Sequence, residues 1–151
     1  MRKSFIAVCL FFLAFNSTAQ NKTIDSLKNL LPQTTKPIDR FRIIEKILEN
    51  LNSFSGNADS TLAIELLKIA QQQNDAALLA SSYNWIGIYL SLAKGDNTTA
   101  LEYYFKALPL AIKTKDKRRT SSLYFDIALV YLYLQNTEEM VKFNQLGKDN
   151  L

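Results

Sequence analysis

The side chains that could carry chemistry in this sequence are few, and their spacing favours structural roles. The 151 residues include no histidine and one cysteine, Cys9, so the most common general base and thiol nucleophile are nearly absent. The candidates for acid–base catalysis are two carboxylate pairs, Glu138 with Glu139 and Glu45 with Glu49. The first pair falls in the first turn of a predicted helix, and the second shares one exposed helix face. The sequence therefore predicts no catalytic residue, no metal ligand and no cofactor, and we expect no enzymatic activity.

A basic cluster between residues 113 and 119 is the strongest charge feature. It consists of Lys113, Lys115, Lys117, Arg118 and Arg119 around a single acid, Asp116. The cluster could bind an anion, but basic residues also favour helix C-termini, and no aromatic residues alternate with them as in a nucleic-acid site. We expect a solvated loop between two helices and no nucleic-acid partner.

Residues 1–19 have the pattern of a secretory signal peptide. Arg2 and Lys3 precede an apolar run over residues 5–15, and Ser17 and Ala19 fit a signal-peptidase site. We expect cleavage after Ala19 and export to the periplasm or the extracellular space. Loss of the two basic residues leaves 16 basic against 14 acidic residues, a net charge of +2 in place of +4. The apolar run is too short for a stable transmembrane helix, and a buried N-terminal helix is the alternative.

The rest of the sequence predicts helices separated by short turns. A short helix over residues 23–31 and a linker with two prolines occupy residues 20–38. Apolar residues at three- and four-residue spacing predict further helices near residues 41–51, 62–70, 76–94, from 98 onward, 120–134 and 137–151. Gly56 and Gly95 are the expected turn residues, Asp59 or Ser60 is the expected cap of the third helix, and Pro109 predicts a bend without a break. No strand is predicted, so the fold class is all-α.

Two helix pairs repeat one pattern of large and small residues. The first contains Tyr83, Ile86, Gly87, Leu90, Ala100, Tyr104 and Ala107, and the second contains Tyr124, Ile127, Ala128, Tyr131, Met140, Asn144 and Gly147. This pattern resembles the tetratricopeptide repeat, in which a small residue within one helix lets the partner helix approach closely. The first pair carries one extra residue, which we assign to the turn, and Asn144 and Gly147 depart from the family pattern. A weaker unit contains Ala63, Leu67 and Ala70.

The resemblance implies a fold of antiparallel helix hairpins stacked as a short, right-handed solenoid over residues 39–151. Its units are expected at about residues 39–75, 80–115 and 121–151. An ordinary helical bundle is the alternative fold.

The resemblance also implies a binding surface on the concave face, for a protein or peptide partner. The family's ligand-facing positions fall on Asn84, Ile88, Ser91, Phe125, Leu129 and Tyr133. The apolar members favour a hydrophobic peptide or a partner helix, and burial under neighbouring helices is the alternative. Of the Lys, Asn and Arg residues that clamp a carboxylate in the chaperone-tail binders of the family, only Asn84 is present, so that ligand is not expected.

The order of segments is similar to the exported N-terminal sensory region of some bacterial sensor kinases and membrane-tethered transcription regulators. The resemblance implies a non-catalytic, protein-binding scaffold of a signalling protein, tied to a membrane only through a downstream segment. One alternative is a complete small exported adaptor, and another is a helical-bundle enzyme with a perturbed Lys or Asp in a polar cavity. We also expect self-association through the last helix, where Val141, Leu146 and Leu151 lack a capping partner.

Overall fold

The computed structural model describes residues 22–55 and 59–151, and it contains seven α-helices and no strand in those ranges. The helices are α1 (residues 22–30), α2 (Pro37–Ser55), α3 (Ser60–Gln73), α4 (Ala76–Ile88), α5 (Asn97–Lys113), α6 (Lys117–Tyr133) and α7 (Thr137–Asp149). A 3-10 turn, Leu31–Gln33, follows α1, and a π-helical turn, Tyr89–Ala93, extends α4. The predicted all-α class is confirmed. The predicted signal peptide and the Gly56 turn lie outside the described residues.

The described residues form two compact units, which divide between Phe54 and Ser55. In the first unit α2 begins at Pro37. Proline is tolerated there because a backbone N–H in the first turn of a helix has no hydrogen-bond partner within the helix. The apolar stripe predicted for this helix is buried at Phe41, Ile44, Ile47 and Leu48. The helix continues to Ser55, past its predicted end. The division between the units falls inside the predicted repeat unit 39–75, and that repeat unit stays a prediction.

The second unit consists of α3 to α7, and each helix packs against the next one along the chain. The most extensive contacts join α4 with α5 and α6 with α7. Turns of two or three residues connect these neighbours, so neighbouring helices run antiparallel. Both α4 and α6 pack on α5, and they make a small contact with each other. We refer to the line along which α4 and α6 adjoin as the groove between α4 and α6.

The turns of the second unit share one construction. A residue with positive φ ends each helix: Asn74 (49°), Gly95 (69°), Lys115 (57°) and Gln135 (58°). The next residue caps the following helix with its side-chain oxygen: Asp75, Asp96, Asp116 and Asn136. Asp59 caps α3 in the same way, by accepting a bond from the Thr61 N–H at 2.9 Å. The predicted stop at Gly95 and the predicted cap at Asp59 are confirmed.

The extra residue of the first helix pair lies within a helix, and its assignment to the turn was wrong. The Gly95 N–H bonds to the Ser91 carbonyl and the Asp96 N–H bonds to the Leu90 carbonyl, at 3.2 and 2.9 Å. Each bond reaches one residue further back than its equivalents at Lys115 and Asp116. A π-helical turn holds one more residue than an α-turn, so Tyr89–Ala93 absorbs the excess before the connection begins.

Two further predictions concern α5 and α6. The α5 helix runs unbroken through Pro109, as predicted, with the proline on its exposed side. The α6 helix begins at Lys117, earlier than the predicted residue 120, because Asp116 caps it by accepting a bond from the Arg119 N–H at 3.0 Å. Residues 117–119 of the basic cluster are therefore helical and do not belong to a loop.

Among the described residues, one stretch, Ala76–Ala93, is long and apolar enough to cross a membrane by length and composition alone. Half of this stretch is buried within the structure. It comprises α4 and its π-turn, which pack against α3 and α5. Burial of this kind is typical of the central helix of a compact helical unit.

Candidate functional site

The groove between α4 and α6 is positioned by a close contact between a glycine and an aromatic ring. A Cβ atom on Gly87 of α4 would lie 2.5 Å from Cε1 of Tyr104 on α5, so any larger residue would force the Tyr104 ring to shift. The Tyr104 side chain is buried. This contact agrees with the expectation that the small residue at Gly87 lets the partner helix approach closely.

The second hairpin reverses this arrangement. Here the glycine, Gly147, is on α7, and the ring of Phe125 on α6 packs against it, 2.6 Å from the position of a Cβ atom. Gly147 departs from the family pattern for this reason: it makes room for Phe125. Phe125 therefore faces α7, whereas the sequence predicted that it would face a ligand.

Three polar side chains from three helices meet at the base of the groove, and we call them the polar floor: Asn84 of α4, Tyr104 of α5 and Asp126 of α6. The Asn84 amide donates a hydrogen bond to the Asp126 carboxyl group. Asp126 also lies close enough to the Tyr104 hydroxyl to disfavour its ionisation. The apolar helices thus enclose an acid and an amide between them.

The environment of the polar floor changes the ionisation of both titratable groups. Burial raises the pKa of Asp126 to about 7, and the hydrogen bond from Asn84 opposes that rise in part. Burial, with smaller contributions from Asp126 and Tyr133, raises the pKa of the Tyr104 hydroxyl well above its usual range. Near neutral pH, Asp126 is divided between its two protonation states while Tyr104 stays neutral.

Two oxygen atoms of the polar floor, Asn84 Oδ1 and Asp126 Oδ2, are buried and have no hydrogen-bond partner among the described residues. The Asn84 residue is only 7% exposed. Leaving such an acceptor without a partner costs about 1–3 kcal/mol in a protein interior. Both atoms accept hydrogen bonds when Asp126 is ionised, so the site is complementary to a donor.

The apolar side of the groove comes from residues that the sequence did predict. Leu129 and Tyr133 lie three and seven residues after Asp126, on the same face of α6, and they are 39% and 49% exposed. Ile88 lies one turn after Asn84 on α4 and is buried. Ser91 is directed elsewhere, because its hydroxyl donates to Asn97 Oδ1 at 2.8 Å across the next turn.

Sequence reasoning missed Asp126 and the role of Tyr104 in the polar floor. The available signal was an acidic residue inside an otherwise apolar helical run, Tyr124–Val130. An acid in such a run must either turn to solvent or find a polar partner, and here it finds Asn84.

The other charged candidates occupy helix ends. Arg119 pairs with Asp116 at 3.4 Å, within the first turn of α6. Glu138 and Glu139 lie in the first turn of α7, as predicted, and Glu139 pairs with Lys142 at 3.0 Å. In the described part of the chain, no three His, Cys, Asp or Glu side chains are grouped to hold a metal ion.

No family model, curated protein or solved structure matches this chain.

Proposed function

We propose that the second unit binds a protein or peptide partner, without catalysis, in the groove between α4 and α6. One observation carries this proposal: the polar floor, with two unpartnered acceptors, adjoins the exposed Leu129 and Tyr133 on one face of α6. An apolar surface beside a few fixed polar groups is typical of a binding site, in which the apolar part supplies affinity and the polar part orientation.

We further propose that the helices form a tetratricopeptide-like right-handed solenoid over residues 39–151. Three features support this architecture: pairwise helix packing, a common turn construction, and left-handed residues spaced 21, 20 and 20 residues apart. Evenly spaced turns are not expected in an irregular helical bundle.

The proposed setting is the exported sensory region of a signalling protein. It is supported by the basic and apolar pattern of residues 1–19. An antibody against residues 21–151, applied to fractions of the native cell, tests this. A band of about 15 kDa outside the cytoplasm indicates cleavage after Ala19 and a small exported adaptor, and a much larger membrane-bound band indicates a sensor. A cytoplasmic band at full mass overturns export.

The raised pKa of Asp126 is the one observation that favours the alternative, an enzyme with a perturbed acid. A general acid or base must reach its substrate, whereas Asp126 Oδ2 is covered. Its identified neighbours, Asn84 and the neutral Tyr104, supply no nucleophile. Binding is therefore the better account of the site.

A peptide-display selection against the full chain tests the proposed function, with affinities of the selected peptides measured by fluorescence anisotropy. We expect the variant Leu129→Ser to weaken binding by about tenfold, because it removes apolar contact area from the groove. Ile64→Ser on α3 is the matched control, since Ile64 is 61% exposed and lies outside the groove. Equal effects of the two variants would argue against the groove as the site.

A further inference from the structure

Five exposed cations lie together at one end of the second unit, where α5 ends and α6 begins. The last turn of α7 reaches the same end, because the Asn150 amide donates hydrogen bonds to the Lys117 carbonyl and the Ser121 hydroxyl, at 2.9 and 3.0 Å. None of the five cations forms an ion pair with another described residue. We call them the basic end: Lys113, Lys115, Lys117, Arg118 and Lys148.

Local structure does not account for three of these cations. A helix N-terminus carries a partial positive charge, so Lys117 and Arg118 are unfavourable in the first turn of α6. Arg119 differs from them because it pairs with Asp116. Lys115 has a φ of 57° at a position where the other turns of the unit have Asn, Gly or Gln, so the turn itself requires no cation. Departures of this kind from local preference are typical of functional sites.

The geometry of the basic end suits an extended anionic surface better than one bound anion. The place that an anion takes at a helix N-terminus is occupied, because the Asp116 carboxylate accepts a hydrogen bond from the Arg119 N–H at 3.0 Å. The five cations are spread over three helix ends, and all of them are exposed. They can therefore contact many negative charges at once, whereas a single anion would contact few of them.

An apolar side chain among the cations indicates which extended surface fits. Ile112, in the last turn of α5 and directly before Lys113, is 52% exposed. Cations around an exposed aliphatic group are typical of surfaces that bind anionic lipid bilayers, because the aliphatic group enters the interface while the cations stay at the headgroups. Nucleic acid fits less well, since residues 112–119 include no aromatic side chain that could stack on a base.

We propose that the basic end binds the surface of an anionic lipid bilayer, with Ile112 inserted among the headgroups. The second unit then approaches the bilayer end-on, because three helix ends form the contact. Leu129 of the groove lies about three turns further along α6 than Lys117. The bilayer contact is therefore separate from the groove, and this proposal does not depend on the proposed function.

Cosedimentation with lipid vesicles tests the proposal. The full chain is mixed with large unilamellar vesicles of phosphatidylcholine alone, or of phosphatidylcholine with about 30% phosphatidylglycerol, at low ionic strength. The ratio of the two partition coefficients measures the preference for anionic lipid. Any contribution of the apolar run in residues 5–15 is the same for every variant, so a difference between variants belongs to the substituted residues.

We expect Lys117→Gln/Arg118→Gln to lower the preference for anionic vesicles by about tenfold, because each cation near such a surface contributes about fivefold. The matched control is Lys68→Gln/Lys94→Gln, which removes the same charge from two exposed positions outside the basic end and should lower the preference by less than about twofold. Urea denaturation should show Lys117→Gln/Arg118→Gln to be at least as stable as the wild type, because it removes cations from a helix N-terminus.

Ile112→Gln distinguishes a bilayer from an acidic protein. It should weaken binding to anionic vesicles by about fivefold and leave binding to a soluble glutamate-rich peptide, measured by fluorescence anisotropy, unchanged. Equal binding of the wild type to the two kinds of vesicle, or equal losses in the two double variants, would overturn the proposal. If Ile112→Gln has no effect on vesicles and the peptide binds more tightly than lipid, the surface belongs to an acidic protein and the bilayer proposal fails.

Discussion

Single residues control how closely the helices approach, and the sharpest cases are Gly87 beside Tyr104 and Gly147 beside Phe125. We predict that Gly87→Ala lowers the free energy of unfolding by about 1–3 kcal/mol, because a Cβ atom would overlap the Tyr104 ring. Urea denaturation followed by the fluorescence of Trp85, the one tryptophan in the chain, measures this change. We expect a similar loss of stability for Gly147→Ala, in which a Cβ atom would overlap the Phe125 ring.

The control for this experiment is Ser122→Ala, at an exposed position on α6, where a small gain in helix propensity is the expected effect. In the absence of a clash, alanine stabilises a helix relative to glycine. A Gly87→Ala protein as stable as the wild type would therefore show that the Tyr104 ring moves aside without cost.

The titration of Asp126 makes a second prediction at this scale. Its pKa is about 7 in the folded protein and 3.8 in its unperturbed state, so the folded state binds the proton more tightly. Stability should fall as the pH rises from about 4 to about 7, by roughly 2–4 kcal/mol, and then level off. The groups identified around this carboxyl are the Tyr104 hydroxyl on α5 and the Asn84 amide on α4, and Tyr133 on α6 interacts with Tyr104.

Denaturation at a series of pH values, for the wild type and for Asp126→Asn, checks the prediction. The variant removes the titrating proton, so its stability should exceed that of the wild type at pH 8 and should lack the decline between pH 4 and 7. Parallel curves for the two proteins would show that the decline, if present, belongs to other groups.

The residues of the site differ in how far sequence could reveal them. Gly87, Leu129 and Tyr133 follow from helical spacing, because spacing fixes the face on which a side chain lies. The burial of Asp126 depends on which residues α4 and α5 bring opposite it, and this is a property of the packed hairpins. Phe125 was assigned to the wrong side for the same reason, since Gly147 on α7 provides the space that its ring occupies.

At the scale of helices, the π-turn at the end of α4 should make that helix tolerant of shortening. Deletion of Leu92, an exposed residue within the π-turn, removes the excess residue and lets an α-turn form. We predict a loss of stability below about 1 kcal/mol for this deletion. Leu132 is the equivalent residue in α6, where no extra residue is present. Its deletion therefore rotates the residues that follow by about 100°.

The second deletion should therefore cost more than about 2 kcal/mol, because it moves Gln135 and Asn136 out of the positions that end α6 and cap α7. Urea denaturation and helical circular dichroism of the two proteins make the comparison. Equal losses would mean that the π-turn stabilises the fold and does not merely absorb a residue.

The helices themselves were largely predictable, because apolar periodicity, capping residues and Gly95 act within a few positions of one another. The π-turn was not. The sequence shows one residue too many between Gly87 and Ala100, but it does not show whether a helix or a turn takes up the excess. That choice depends on the packing of α4 against α5 on either side of it.

At the scale of the molecule, the C-terminal segment presents apolar side chains to solvent: Val141 on α7 is 57% exposed, and Leu151, just after α7, is 82% exposed. We predict that the chain from Gln20 onward self-associates through α7 and that Val141→Glu shifts it toward the monomer, as measured by sedimentation velocity. Ile112→Glu on α5 is the matched control, because Ile112 is also about half exposed. A monodisperse wild-type monomer would contradict the prediction.

The division into two units is the feature of the whole chain that the sequence did not indicate. Composition and periodicity change little between residue 39 and residue 75, so a continuous repeat was the natural expectation. Compactness depends on contacts between distant residues, which no local pattern records. Within residues 55–151, by contrast, each helix packs on its sequence neighbour, and the order of packing follows the order of the chain.

The π-turn of α4 also bears on how such a chain can change in length over evolutionary time. An inserted residue ordinarily rotates everything after it within a helix, and every later contact is then lost. Here the excess residue is absorbed within Tyr89–Ala93, and α5 to α7 keep the 20-residue spacing of their turns. An ancestor of this gene could thus gain one codon at that point while the downstream helices kept their partners, and the π-turn would be the surviving mark of that gain.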